Sequence, residues 1–340
     1  MERRNKSMVS EFILLGLSDR PELQILLFVM FLKMYLVTVL GNSVIIRAIS
    51  TTPQLHTPMY FFLGNLSFVD MCFTSVTVPK LLVNILSEKK SISVAGCITQ
   101  LSFFISLAGM ECALLTVMAY DRYVAICSPL HYSMVMNRRM CLVLVAISWV
   151  TISVHSVLHS VLTSRLTFCG LNLIHHFFCD MTALLKLSCS DTTTNELVIF
   201  IEGPFSVAVP LGIVLVSYVR IIATILKMHS AEGRNKAFST CSSHLIVVAL
   251  YFGTIIFMYF RPTSSYSLDY DRVVSVMYTV VAPMLNPFIY SLRNSEVKGA
   301  LASVSCSKQI LFCVLPAPLH LLVQKSKLMG FFQNDFIKCS

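Results

Sequence analysis

The decapeptide MAYDRYVAIC, Met118–Cys127, sets an acid and a base side by side, Asp121 and Arg122, at the close of a long apolar run. Charge at the edge of an apolar segment is costly and is usually kept for what it does. Two more carboxylates, Asp70 and Glu111, sit inside apolar stretches. Three chemistries are open to such a set: a switch in which the guanidinium trades partners, proton carriage by the buried acids, or plain interfacial anchoring, since arginine snorkels readily. A second grouping, HHFFCD, places the metal-ligand types His175, His176, Cys179 and Asp180 together. Ser, His and Asp are all present, yet neither a nucleophile-elbow glycine pattern nor HExxH occurs, so no hydrolase is expected.

These residues must be held by something very apolar. Of the 340 residues, 56% are hydrophobic and 13% charged, about half the charged share of a soluble domain, and that composition defines a membrane protein. The formal charge of +9 is scattered between apolar runs; without a basic face interleaved with aromatics, nucleic acid is excluded as a partner. With roughly 20 apolar residues needed per transmembrane helix, seven spans are predicted: Leu23–Ile49, Pro58–Leu86, Gly96–Ile126, Met140–Leu162, Leu197–Leu226, Phe238–Phe260 and Val273–Leu292. They must be helices, because open strands leave backbone groups unsatisfied in lipid. The predicted fold is an all-α seven-helix bundle over residues 23–292, after an amino-terminal segment 1–22 and before a short amphipathic helix 293–304 and a tail 305–340. The first span reads as a signal anchor, with no cleavable leader before it.

Lys and Arg are about equally numerous on the two sides of this layout, so the positive-inside count does not orient it. Covalent chemistry does: Asn5-Lys6-Ser7 is a glycosylation sequon in the amino-terminal segment, which points that end outward at the plasma membrane. On the same side Cys97 opens the third span, and Cys169, Cys179 and Cys189 crowd the connection between the fourth and fifth. Four cysteines in an oxidising compartment permit three pairings.

Four motifs in order, LHTPMYFFLGNLSFVD at Leu55–Asp70, MAYDRYVAIC, KAFSTCSSHL at Lys236–Leu245 and PMLNPFIYSLRN at Pro283–Asn294, resemble the odorant receptors, a branch of the rhodopsin-like G-protein-coupled receptors. The resemblance covers about Glu11 to Ala300. It implies a small volatile odorant as ligand, a stimulatory heterotrimeric G protein as cytoplasmic partner, the lipid bilayer as setting, and neither enzymatic activity nor a cofactor. Under it Arg122 is latched to Asp121 at rest and released on activation, with Tyr218 and His244 as alternative partners. Asn286, Pro287 and Tyr290 form a hinge, and Asn42, Asp70 and Glu111 a polar core. Glu111 stands eleven residues before Arg122, about 16 Å along a helix. The resemblance also implies a Cys97–Cys179 bridge, which leaves HHFFCD without a metal role; a local Cys169–Cys189 loop is expected beside it.

Phe104, Ile105, Ala108 and Gly109 share a face of the third span by helical spacing, and the resemblance places them beside the ligand. Glu202, Ser206 and Val209 on the fifth span, Tyr251, Thr254, Ile255 and Met258 on the sixth and Tyr278 on the seventh complete the expected set. Glu202 is expected to face the cavity or vestibule, or to pair at the rim with a cation such as Lys186, because a carboxylate facing lipid is costly. Departures from the family pattern are Gly64, Arg47, Lys33 and the tail after Ser305, whose apolar stretch Ile310–Val323 is too short and proline-broken to span a bilayer. Two alternatives stand beside the receptor reading: a proton-coupled transporter using Asp70 and Glu111, which would predict internal repeats that the chain lacks, and a receptor variant left without function by its tail.

Overall fold

The structure, a computed structural model, describes residues 9–18, 20–170, 172–259 and 268–293. Seven long helices follow one another: α1 Pro21–Thr51, α2 Pro58–Leu86, α3 Val94–Cys127, α4 Arg138–Ser164, α5 Thr193–Leu226, α6 Ala231–Tyr259, and α7, built from Leu268–Val276, a π-helical turn Met277–Val281 and Ala282–Arg293. Each predicted span falls within one of them, apart from Phe260, which lies outside the described residues. Asn5 and the segments 294–304 and 305–340 lie outside them too.

Local chemistry sets the ends. Pro21 and Pro58 occupy first-turn positions, where a missing N–H costs nothing. The Ser93 hydroxyl caps α3 by accepting from Gly96 N, and the Asn137 side chain caps α4 by accepting from Met140 N. Among the described residues six helices are long and apolar enough to cross a bilayer; in α6 the apolar part is the shorter Cys241–Phe257. Its opening turns, AEGRNK, are charged, so this 29-residue helix carries a polar extension beyond its apolar core.

α2 and α3 form the centre of the bundle, whereas α1, α4 and α5 turn Ile25, Leu26, Val150, Val154, Phe200 and Phe205 outward, as lipid-facing helices must. At the end where α3 begins, a small sheet closes the bundle. Its order is β2-β1-β3, with β1 Glu11–Leu14 antiparallel to β2 Ser91–Ser93 and parallel to β3 Leu173–Ile174. Alternation along β1 drives Phe12 and Leu14 into a satellite core with Leu101, Phe168, Ile174 and Leu184. The amino-terminal segment is thereby fixed to the loops.

Candidate ligand site and activation switch

The loop between α4 and α5 is drawn over the bundle by two disulfides. Cys97 is joined to Cys179, with Cα atoms 5.5 Å apart, and Cys169 to Cys189, at 5.8 Å. Cys179 N also donates to Gln100 Oε1 at 3.0 Å. This anchoring pushes HHFFCD into the bundle, where Phe177 and Phe178 are fully buried and Phe178 stacks on Phe104 with ring centroids 4.6 Å apart. His176 meets Phe178 edge-on and shares a hydrogen bond of 3.1 Å with Ser275 Oγ of α7. Burial pushes the His176 imidazole down to about 4, aided by the Arg272 charge and opposed by Asp180. The cap thus holds a neutral ring.

Beneath this cap the expected ligand residues divide. Phe104, Ala108, Tyr251, Ile255 and Tyr278 all pack in the main core. Tyr278 lies edge-on to Phe104 at 6.1 Å, and Tyr251 Oη donates to Ala108 O at 2.5 Å. Thr254 is half-buried, its hydroxyl donating to Leu250 O and Tyr251 O at 2.8 Å each. Ile105, by contrast, packs against the satellite core. A Cβ on Gly109 would come within 2.9 Å of Ile152 Cγ2, so this face of α3 touches α4. Val209 and Ser206 are exposed; Val209 borders an open groove between α3 and α5 with Tyr120, Tyr123 and Arg220, and Ser206 donates to Gly203 O at 2.9 Å. Glu202 turns to α4, its Oε2 lying 3.3 Å from Nε2 of both His155 and His159. The side chain of Met258 lies outside the described residues.

Phe177 and Phe178 were not expected here from sequence. The signal was available in HHFFCD itself: two aromatics next to a cysteine tied to α3 have few places to go but inward.

A polar column continues below. Pro287 has no N–H, so its helix leaves the carbonyl four residues earlier, Pro283 O, without its usual donor. Asn42 Nδ2 supplies one from α1 at 3.2 Å while also donating to Thr38 O at 3.0 Å. The close approach needs Gly41, where an added Cβ would stand 3.3 Å from Pro287 Cβ and Cγ. Asn286 Nδ2 donates to Asp70 Oδ2 at 2.9 Å, tying α7 to α2. Glu111, one turn after Ala108, is fully buried, and no donor among the described residues reaches either carboxyl oxygen. Tyr290 is buried on the same side of α7, and Ser243 Oγ of α6 donates to Ile289 O at 3.2 Å.

At the far end, Tyr218 of α5, His244 of α6 and Leu115 of α3 are linked in series. His244 Nε2 is 3.0 Å from Leu115 O, which can only accept, so Nε2 carries the proton and Nδ1 accepts from Tyr218 Oη at 2.7 Å. Asp121 and Arg122 diverge, as neighbours on a helix do. Asp121 Oδ1 accepts from Tyr132 Oη at 2.8 Å, and Arg122 reaches Met59 Sδ on α2. Burial and the Asp121 carboxylate push the Tyr132 phenol upward, keeping it a donor. Tyr132, from the connection after α3, is thus the hydroxyl donor that holds the acid.

The chain is thus a seven-helix bundle with a disulfide-tied loop cap, packed aromatic side chains beneath it and a buried polar column leading to an Asp-Arg pair. A family model described as olfactory receptor matches residues 31–308, and the chain belongs to that family. It is 55% identical over 310 residues to mouse Olfactory receptor 1E16, covering 91% of this chain and 99% of the relative. It is 54% identical over 314 residues to rat Olfactory receptor 1468, covering 92% and 100%, and 53% identical over 310 residues to rat Olfactory receptor 1, covering 91% and 99%. The chain is therefore a multi-pass membrane receptor of the odorant class and not an enzyme.

Proposed function

We propose that the chain binds small volatile odorants between α3, α6 and α7 beneath Phe178, and passes the event to a stimulatory heterotrimeric G protein at the Arg122 end. In this reading the sheet and disulfides face outward at the plasma membrane, Asn5 carries a glycan, and the segments after Arg293 are cytoplasmic. The guest's neighbours in this reading are Phe104, Ala108, Ile255 and Tyr278, with the Tyr251 and Thr254 hydroxyls as polar points. Such lining suits a small, mostly apolar guest oriented by one or two hydrogen bonds.

The observation that carries the reading is the direct succession from chamber to switch. Tyr251 is bonded to Ala108; Glu111 lies one turn on; Asp70, Asn286 and Asn42 join α2, α7 and α1; and the Tyr218–His244–Leu115 series stands next to Arg122. A guest that shifts α6 against α3 strains Tyr251 and His244 together, because both are bonded to backbone carbonyls of α3. Release of Tyr218 from His244 would leave its hydroxyl to the Arg122 guanidinium, a two-state exchange of the kind that switches use. Surface expression followed by cyclic-AMP measurement across a chemically diverse odorant panel tests this. A saturable, odorant-dependent rise supports it; odorant-driven proton or solute uptake with no rise supports the transporter alternative.

A further inference from the structure

The pairing of Glu202 with two histidines has no part in the odorant chamber. His155 and His159 are four residues apart on α4, so their rings lie on one face of the helix, with centroids 4.6 Å apart. Glu202, in the third turn of α5, closes the group. The three ligand atoms, two Nε2 and one carboxylate oxygen, lie within 4.8 Å of one another. Two distances are decisive. Each Nε2 stands 3.3 Å from the same Oε2, longer than the ~2.7–2.9 Å of an imidazolium–carboxylate hydrogen bond, and that buried oxygen has no hydrogen-bond partner among the described residues. A tetrahedron with Zn–N and Zn–O bonds of about 2.0–2.1 Å has edges of about 3.3–3.4 Å. The two edges that meet at Glu202 Oε2 are therefore spaced as edges of such a polyhedron, and the third lies within 4.8 Å.

We propose that His155, His159 and Glu202 form a zinc site that clasps α4 to α5 roughly one and a half to two and a half turns below the disulfide-bearing end. Two neutral imidazoles and one carboxylate are a borderline donor set suited to Zn(II), and a three-residue site leaves the fourth position for water. His155 and Glu202 are half-buried, so an ion has a path in, while His159 at 7% side-chain exposure anchors the inner side. Binding restrains α5, the helix that carries Tyr218, so zinc is a modulator of the receptor and the odorant is not needed for it to bind.

The test uses the full-length receptor purified in lipid nanodiscs without odorant, titrated with Co(II) as a spectroscopic probe and then with Zn(II) in competition. One equivalent of Co(II) is expected to give the intense visible bands of a four-coordinate ion, which Zn(II) abolishes. His155→Ala and Glu202→Gln are each expected to weaken binding by more than about tenfold, since even outer-shell losses cost that much. His175→Ala, in the exposed part of HHFFCD, is expected to leave it unchanged. His155→Gln serves as the mild variant, because its partly exposed position spares the packing; its disulfide-dependent maturation should equal the parent's. Loss of the bands in His175→Ala, their persistence in His155→Gln, or no saturable binding by the parent overturns the proposal.

Discussion

Gly109 separates two accounts of α3, because the same residue would serve the ligand chamber or the α4 contact. A Cβ there stands 2.9 Å from Ile152 Cγ2 and 3.1 Å from Cδ1, whereas relaxed carbon contacts lie at ~3.5–4.0 Å. Cγ2 is not a flexible tip: a helical isoleucine has one strongly preferred χ1, so relief needs an off-rotamer side chain or movement of α4. Overpacking of this kind costs about 1–3 kcal/mol, while replacing helical glycine by alanine returns up to ~1 kcal/mol. Gly109→Ala should therefore lower stability by up to about 2 kcal/mol net of these terms. In an Ile152→Ala background, which removes both clashing methyls, the same substitution should become neutral or stabilising. Thermal unfolding of the solubilised receptor, run as a double-mutant cycle with odorant dose–response beside it, measures both. An altered odorant potency in Gly109→Ala that Ile152→Ala does not reverse, with no change in stability, would refute the packing account.

Other expectations follow from the cap and the column. Asn42→Ala should destabilise the bundle by roughly 1–3 kcal/mol, since Pro283 O loses its donor in a buried setting; Pro287→Ala restores the helix's own donor and should recover part of that loss in the double variant, as thermal unfolding would read. His176 has a folded pKa of about 4 against an ordinary 6.5. Because the folded value is the lower one, the stability it reports is present above about 6.5 and lost as pH falls from there toward 4. The parent's melting temperature should decline more steeply across that window than that of His176→Gln. Non-reducing peptide mapping should recover Cys97 with Cys179 and Cys169 with Cys189; a Cys97–Cys189 peptide would contradict the cap described here.

The seven helices were legible because span length and apolarity are local quantities, and each predicted span, apart from Phe260, lies in a helix. Local spacing also grouped Phe104 with Ala108, whereas the bond that joins Asp70 of the polar core to Asn286 of the hinge needed the packing of α2 on α7. What the chain did not disclose depended on which way a face turns once helices pack. Sequence points Glu202 toward a cavity or a loop cation, yet it meets α4; the His155–His159 spacing of four is a weak sign of this, because neither residue is unusual alone. β1 was read only as a polar amino-terminal segment, although Phe12 and Leu14 alternate as a half-buried strand does. Asp121 was paired with its sequence neighbour Arg122, but adjacent helical residues point apart, and Tyr132 from the next connection reaches the acid instead. The Asn42–Pro283 bond needed the third dimension entirely.

The central claim is that odorant binding beneath Phe178 reaches a G protein through Arg122. Its most direct measurement is nucleotide exchange on a purified stimulatory G protein by the receptor in nanodiscs, with and without an active odorant, for the parent and for Arg122→Ala. The account predicts odorant-dependent exchange with the parent, its loss in Arg122→Ala, and undiminished odorant binding and thermal stability in that variant. Odorant-dependent exchange that survives Arg122→Ala, or odorant binding to the parent that never accelerates exchange, would contradict it.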